Sequence, residues 1–247
     1  MAPVAGAPPS WARVAIALTA AVVSAAVAVL LGNWQMRRAE GKRELQQSYE
    51  AALAAPPVEI RTGAQLAAAS VRTPRRVRVQ GRFLHEHTVF LENRTLAGRA
   101  GFYVVTPLAL PDAAILVLRG WAPRDIADRT RLPRVDLPAD TVEIDALLVD
   151  GLARRPEFGS SERESRIRQN LDPEELRARL PLPLAPALLQ QLSPLPDGLV
   201  RDWPPPATGV DKHRGYALQW YALAALIAGL AVFFGWRATR AAWRTPS

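Results

Sequence analysis

Cysteine is absent from this chain of 247 residues, methionine occurs twice, and lysine stands only at Lys42 and Lys212. Without thiols there is no disulfide scaffold, no thiolate zinc or copper site and no covalently attached haem. Met1 and Met36 are too few soft ligands for a copper carrier, so the composition predicts no copper-handling role. Also missing are the nucleophile elbow, the phosphate-binding loop, the zinc His-Glu-x-x-His pair and the dinucleotide-binding glycine pattern. Ser160-Ser161 has no histidine near it in sequence and reads as a polar turn. These absences point away from an enzyme.

What is there is arginine, unevenly opposed. The net charge is +8, but no acid precedes Glu40 and none follows Asp211. Arg13, Arg237, Arg240 and Arg244 therefore lie outside the acidic region, and they flank two uncharged runs, 14–36 and 215–236. As helices these runs would measure roughly 33 Å, slightly more than the ~30 Å hydrocarbon core of a bilayer. The pattern predicts two transmembrane helices, with lipid rather than nucleic acid as the surface the arginines meet.

The first run reads as a retained anchor rather than a signal peptide: Ala26-Val27-Ala28 is followed by more apolar residues, and Trp34 and Gln35 suit no cleavage site. The second carries Tyr216, Trp220 and Tyr221 at its start and Phe233, Phe234 and Trp236 at its end, an aromatic belt at both interfaces. Charge alone leaves the orientation open. Arg37, Arg38, Lys42 and Arg43 would hold the central loop in the cytoplasm, whereas the acid-free C-terminal tail suits the cytoplasm equally well.

The expected organisation is an N-terminal tail (1–12), transmembrane helix (13–36), helical stalk (37–55), α+β domain (56–180), proline-rich connector (181–212), second transmembrane helix (213–237) and C-terminal tail (238–247). In the stalk, Leu45, Tyr49 and Leu53 recur at helical spacing until Pro56-Pro57. A short helix is expected around 64–70. Val77, Val79, Gly81 and Phe83 then alternate with Arg76, Arg78, Gln80 and Arg82, the period of a half-buried strand. Further strands are expected over 87–94, 102–108, 115–121 and 141–149, close enough in sequence for an antiparallel meander curled into a barrel-like sheet. Asp172-Pro173-Glu174-Glu175 opens a short helix. The eight prolines within 181–206 suggest an irregular connector.

Three histidines are the remaining candidates for chemistry. His85 and His87 would share one face of a strand, but no third ligand is apparent and turn residues are the plainer reading. His213 stands just before the second apolar run, in one helical stripe with Tyr216 and Trp220. The first run ends in Gly32-Asn33-Trp34-Gln35 on the same side of the bilayer. Imidazole, aromatic rings, Gln35, Gln219 and the cations Arg37, Arg38, Lys212 and Arg214 thus share one depth. That set suits a planar amphipathic ring with an iron and carboxylate arms, and it equally suits plain interfacial anchoring.

Ordered motifs sharpen the choice. These are Leu31-Gly32-Asn33-Trp34-Gln35-Met36-Arg37-Arg38, then Val79-Gln80-Gly81-Arg82-Phe83, then Asn93-Arg94 with Gly98-Arg99-Ala100-Gly101-Phe102. Thr106-Pro107-Leu108, Val117-Leu118-Arg119-Gly120-Trp121-Ala122-Pro123, Leu132-Pro133 and His213 with Tyr216-Ala217-Leu218-Gln219-Trp220 complete the set. In this order, between two apolar runs, they resemble the Surfeit locus protein one family, the assembly factors of cytochrome c oxidase. The resemblance implies a multi-pass protein of the bacterial inner membrane, with a periplasmic central domain and cytoplasmic termini. It implies a non-enzymatic role in building the haem a site of the oxidase catalytic subunit, with His213 at the position associated with haem iron. Tyr216, Gln219, Trp220, Trp34, Gln35, Arg37, Arg38 and Arg214 would line that site. The implied partners are the oxidase catalytic subunit, the enzyme that makes haem a and membrane lipid, with no nucleic acid. The alternative is a cofactor-free structural chaperone for the nascent subunit, touching it through Arg119-Gly120-Trp121 and the 98–101 segment. A sensor is a third option, but only 11 residues follow Trp236, so it would need a separate output partner.

Overall fold

No proline interrupts residues 11–54, and their first half is dominated by good helix formers. In the computed structural model this stretch is one continuous helix, α1 (Trp11–Ala54). The structure describes residues 11–70, 73–125, 127–128, 131–136, 140–151, 166–204, 206 and 209–243. Residues 1–10, Ser160-Ser161 and Arg244 lie outside the described residues. The chain divides into two units, a helical one (1–47 with 206–247) and a sheet-rich one (48–205).

The helical unit pairs the first part of α1 with α4 (Val210–Trp243). Both helices are long and apolar enough to cross a membrane. Along α1 the less exposed positions recur at three- and four-residue steps through Val14, Leu18, Ala21, Ala25, Ala28, Gly32, Gln35 and Ala39. Along α4 they pass through His213, Ala217, Tyr221, Ala224, Ala231, Gly235 and Ala238. Small residues dominate both stripes and let two helices approach closely. The helices run antiparallel. A Cβ on Gly32 would lie 2.6 Å from the Tyr221 ring, and one on Gly235 would lie 3.7 Å from Leu18.

Among the described residues the sheet-rich unit holds eight strands: β1 (Val58–Ile60), β2 (Arg75–Phe83), β3 (Val89–Leu96), β4 (Arg99–Ala109), β5 (Ala114–Pro123), β6 (Val142–Val149), β7 (Ile167–Arg168) and β8 (Leu184–Gln191). Two short helices accompany them, α2 (Gly63–Ser70) and α3 (Pro173–Arg179). The alternation read in β2 is present, with Val77, Val79, Gly81 and Phe83 buried. Asp172 caps α3, its carboxylate accepting from Glu174 N and Glu175 N, with Pro173 in the first turn.

The strand order is β1-β2-β6-β8-β5-β4-β3-β7, and β2 makes a second, short pairing with β4 at Arg82–Ala109 and Phe83–Leu108. Pairing thus runs from β2 through β6, β8, β5 and β4 back to β2. Strands β3, β4 and β5 form the expected antiparallel meander, but the sheet as a whole is mixed: β1–β2, β3–β7 and β5–β8 are parallel.

The largest departure from expectation is β8, which lies where the prolines suggest an irregular connector. Ala187, Leu188 and Leu189 are buried, and that apolar run is what seats the strand between β5 and β6. Pro186 does not prevent it. Between the pairs Ala114–Leu184 and Leu116–Leu188 the register shifts, and the pairing with β6 begins only at Leu188. A proline at such a bulge gives up no ladder hydrogen bond. His85 and His87 form a single 3-10 turn, in line with the plainer reading, and the strand expected from residue 87 begins at Val89. The hairpin between β3 and β4 turns at Ala97 and Gly98, both at positive φ, as a two-residue turn requires. Gly101 lies inside β4 rather than in the turn.

Strand β5 is buried on both faces from Ala114 to Ala122. Ile115 and Val117 join a core with Val77, Val79, Phe83, Ile144 and Leu189, while Leu116 and Leu118 pack on the other face with Leu91, Leu176 and Leu188.

Candidate functional site

His213 lies in the first turn of α4, and Gln35 lies on α1 three residues beyond the Gly32 contact. The close approach at Gly32 brings these two side chains together, and His213 Nδ1 is 2.7 Å from Gln35 Oε1. With the amide oxygen as acceptor, Nδ1–H donates and the imidazole lone pair falls on Nε2, the nitrogen left for a metal. Nearer the middle of the helix pair, Tyr221 OH donates to Asn33 Oδ1 at 2.7 Å. Two side-chain hydrogen bonds thus cross the helix pair within three residues of Gly32.

The other expected site residues sit around this pair. Arg38 stacks on Trp34, its guanidinium 5.8 Å from the ring centroid, and Trp34 keeps 45% of its surface exposed. Trp220 is half-buried. Tyr216 is 54% exposed, since the packed stripe of α4 passes through Ala217 instead, and Gln219, Arg37 and Arg214 are exposed as well. The structure therefore unites His213 with Gln35, and Trp34 with Arg38, and leaves Tyr216, Gln219, Arg37 and Arg214 as an exposed rim. Asn33 and Tyr221 were not among the expected site residues. The signal that could have found them is the small-residue spacing of Gly32 and Ala28 against Ala217 and Ala224.

The motif residues of the sheet-rich unit have a different part. Arg119 and Asp197 are fully buried and paired at 2.7 Å, and Arg201 reaches the same carboxylate oxygen at 2.5 Å. Burial pulls the Arg119 guanidinium below its ordinary pKa, against the opposing pull of Asp197. Its charge also rests on the Phe83 ring at 4.4 Å. Trp121 is 4% exposed, and its Nε1–H donates to Arg94 O at 2.8 Å. Gly101 leaves room for the Trp121 ring, and Gly120 leaves room for Leu199, which a Cβ would meet at 2.6 Å. Arg119-Gly120-Trp121 therefore cannot be the contact surface of a chaperone; these residues hold the fold.

Two apolar helices on either side of a mixed-sheet domain, joined by a histidine–glutamine contact at one end of the helix pair, define a two-helix protein with a large intervening domain. The SURF1 family model matches residues 22–225, and the chain belongs to the SURF1 family. It is 27% identical over 217 residues to a SURF1-like protein of Monosiga brevicollis, covering 82% of this chain and 81% of that one. A SURF1-like protein of Rickettsia felis is 31% identical over 104 residues, 40% of this chain and 43% of its own length. The cytochrome oxidase assembly protein SHY1 of Saccharomyces cerevisiae is 27% identical over 118 residues, 46% of this chain and 30% of its own. Apart from the Monosiga relative, the chain spans under half the length of these matches.

Proposed function

We propose that this protein is a non-enzymatic, membrane-anchored assembly factor for cytochrome c oxidase, with haem a as cargo held at His213. Family membership and the name of the yeast relative, a cytochrome oxidase assembly protein, support the assembly role. The observation that carries the cargo reading is the 2.7 Å contact between His213 Nδ1 and Gln35, which leaves the lone pair on Nε2. Neutral imidazole in that tautomer ligates haem iron. The donor set around it fits the cargo: exposed aromatic surface on Trp34 and Tyr216 for the ring, and Arg37, Arg38 and Arg214 for the carboxylates. Both long helices cross the bacterial inner membrane in this reading. The acid-free C-terminal end faces the cytoplasm, and the sheet-rich unit lies in the periplasm. The partners are the oxidase catalytic subunit and the enzyme that supplies haem a.

The test is an optical spectrum of the full-length protein purified after co-expression with the haem a synthesis enzymes. Wild type is expected to carry haem a, and His213→Ala to bind it at least tenfold more weakly while remaining inserted, since alanine favours the helix. Single replacements of Arg37, Arg38 or Arg214 are expected to matter less, at about 1 kcal/mol or below each. A colourless wild-type protein that still restores oxidase activity would leave the cofactor-free scaffold as the function.

A further inference from the structure

At the opposite end of the helix pair from His213, the chain carries a second concave feature. Val14, Ala17 and Leu18 of α1, with Phe234, Gly235, Ala238 and Ala241 of α4, line a groove of about 330 Å³, and among the described residues the only charged side chain lining it is Arg237. The helices are in ordinary contact at its inner end, where a Cβ on Gly235 would lie 3.7 Å from Leu18. Ala17, Ala238 and Ala241 are too short to fill the space further out.

The charge at this end is all of one sign. Arg237 lines the groove, whereas Arg240 stacks on Trp236 at 4.1 Å on the outward face of α4, away from α1. Arg13 lies one turn before Ala17, on the face that borders the groove. No aspartate or glutamate occurs in residues 1–36 or 215–247, so no acid of this unit's apolar helices answers these three cations. The groove therefore has a polarity along its length, with guanidinium groups at the outer end and Leu18 and Phe234 at the inner end. That is the polarity of one phospholipid, headgroup outward and acyl chain inward.

We propose that this groove is a binding site for a single anionic phospholipid, its phosphate and acidic headgroup held by Arg237 with Arg13 beside it, and one acyl chain lying along Leu18 and Phe234. The inference rests on the membrane-spanning part of the proposed function and is independent of the haem reading. Such a site orders the lipid beside the pair and ties the end of α4 to that of α1 through a ligand that touches both.

Native mass spectrometry of the full-length protein in detergent, titrated separately with phosphatidylglycerol and phosphatidylcholine, tests it. One phosphatidylglycerol is expected to be retained in preference to phosphatidylcholine. Arg237→Gln is expected to weaken it about fivefold, the effect of one arginine at an anionic surface, and Arg240→Gln, on the outward face, to weaken it less. Ala238→Phe keeps every charge but fills the groove, and it is expected to abolish the selective first binding event. Equal retention of both lipids, or full phosphatidylglycerol binding by Ala238→Phe, would overturn the proposal and leave only surface attraction by charge. The haem spectrum of the same samples separates the two readings: a normal spectrum with no selective lipid removes the groove site alone. A protein that purifies from the soluble fraction without detergent removes the membrane reading, and this inference with it.

Discussion

In the sheet-rich unit Arg119 and Asp197 are fully buried, and a second arginine shares the same carboxylate. In the helical unit the described hydrogen bonds from one helix to the other join an imidazole to an amide, His213 with Gln35, and a phenol to an amide, Tyr221 with Asn33, and these side chains keep part of their surface open. The apolar surface is distributed in the opposite sense. Strand β5 is buried from end to end of its apolar run, while Ile16, Leu30, Leu226 and Val232 stand well exposed on the helices. One unit hides oil from water around a few paid-up charges. The other shows oil outward and packs on glycine and alanine, as expected where the proposed solvent is lipid. A single substitution should therefore cost most where a charge loses its partner and least where a neutral bond is removed from a close-packed helix pair.

The strongest way to break this contrast is Asp197→Ala. It leaves Arg119 buried without its partner and strips Arg201 as well, so the sheet-rich unit should lose about 3–5 kcal/mol, read by chemical denaturation. A cost below 1 kcal/mol would show that the buried pair is not what holds the 197–201 segment to β5. Next comes Gly101→Ala, whose Cβ would run into Ala122 O and the Trp121 ring. About 1–3 kcal/mol is expected, with a changed tryptophan fluorescence spectrum as Trp121 shifts.

Asp145 sharpens the contrast by pH. Its carboxyl is held below the usual range, chiefly by a hydrogen bond from Arg78, against some burial and with help from Arg76. A carboxylate with a depressed native pKa adds stability that is complete above its unfolded value, about 3.9, and is lost as pH falls through the native value. Asp145→Asn should therefore cost about 1 kcal/mol at neutral pH and flatten the acid limb of the stability profile below about pH 4. An unchanged acid limb would show that other carboxylates control it. The smallest effect is expected from Asn33→Ala, about 0.6 kcal/mol in the helical unit, measured by denaturing-detergent titration. A loss as large as that of Asp197→Ala would reverse the comparison.

Local signals survived into the structure wherever one segment decides its own conformation. The proline-free run made α1, Asp172-Pro173 capped α3, and period-two alternation marked the buried face of β2. They failed where a neighbour decides. Eight prolines masked β8, because a strand is seated by the partners it finds in β5 and β6, and Pro186 is tolerated only because the register shifts beside it. The candidate site was legible in part. His213 and Gln35 could be placed at one depth from span lengths alone, but their contact, and that of Asn33 with Tyr221, needed the rotation of each helix about its axis. Arg119 and Trp121 could be quoted as a motif without any sign of whether they faced a partner or the core.

By itself the sequence determined the two long apolar helices, their basic flanks, the absence of charge within the runs 14–36 and 215–236 and the absence of thiol chemistry, because run length, charge and composition are properties of a segment alone. Only the tertiary structure decided that the proline-rich segment completes the sheet, that an arginine lies at zero exposure against an aspartate 78 residues away, and that a glutamine faces the histidine. These depend on which surfaces exclude water together. Pairing between strands and close packing at Gly32 and Tyr221 are set by contacts distant in sequence, whose energy no local pattern encodes.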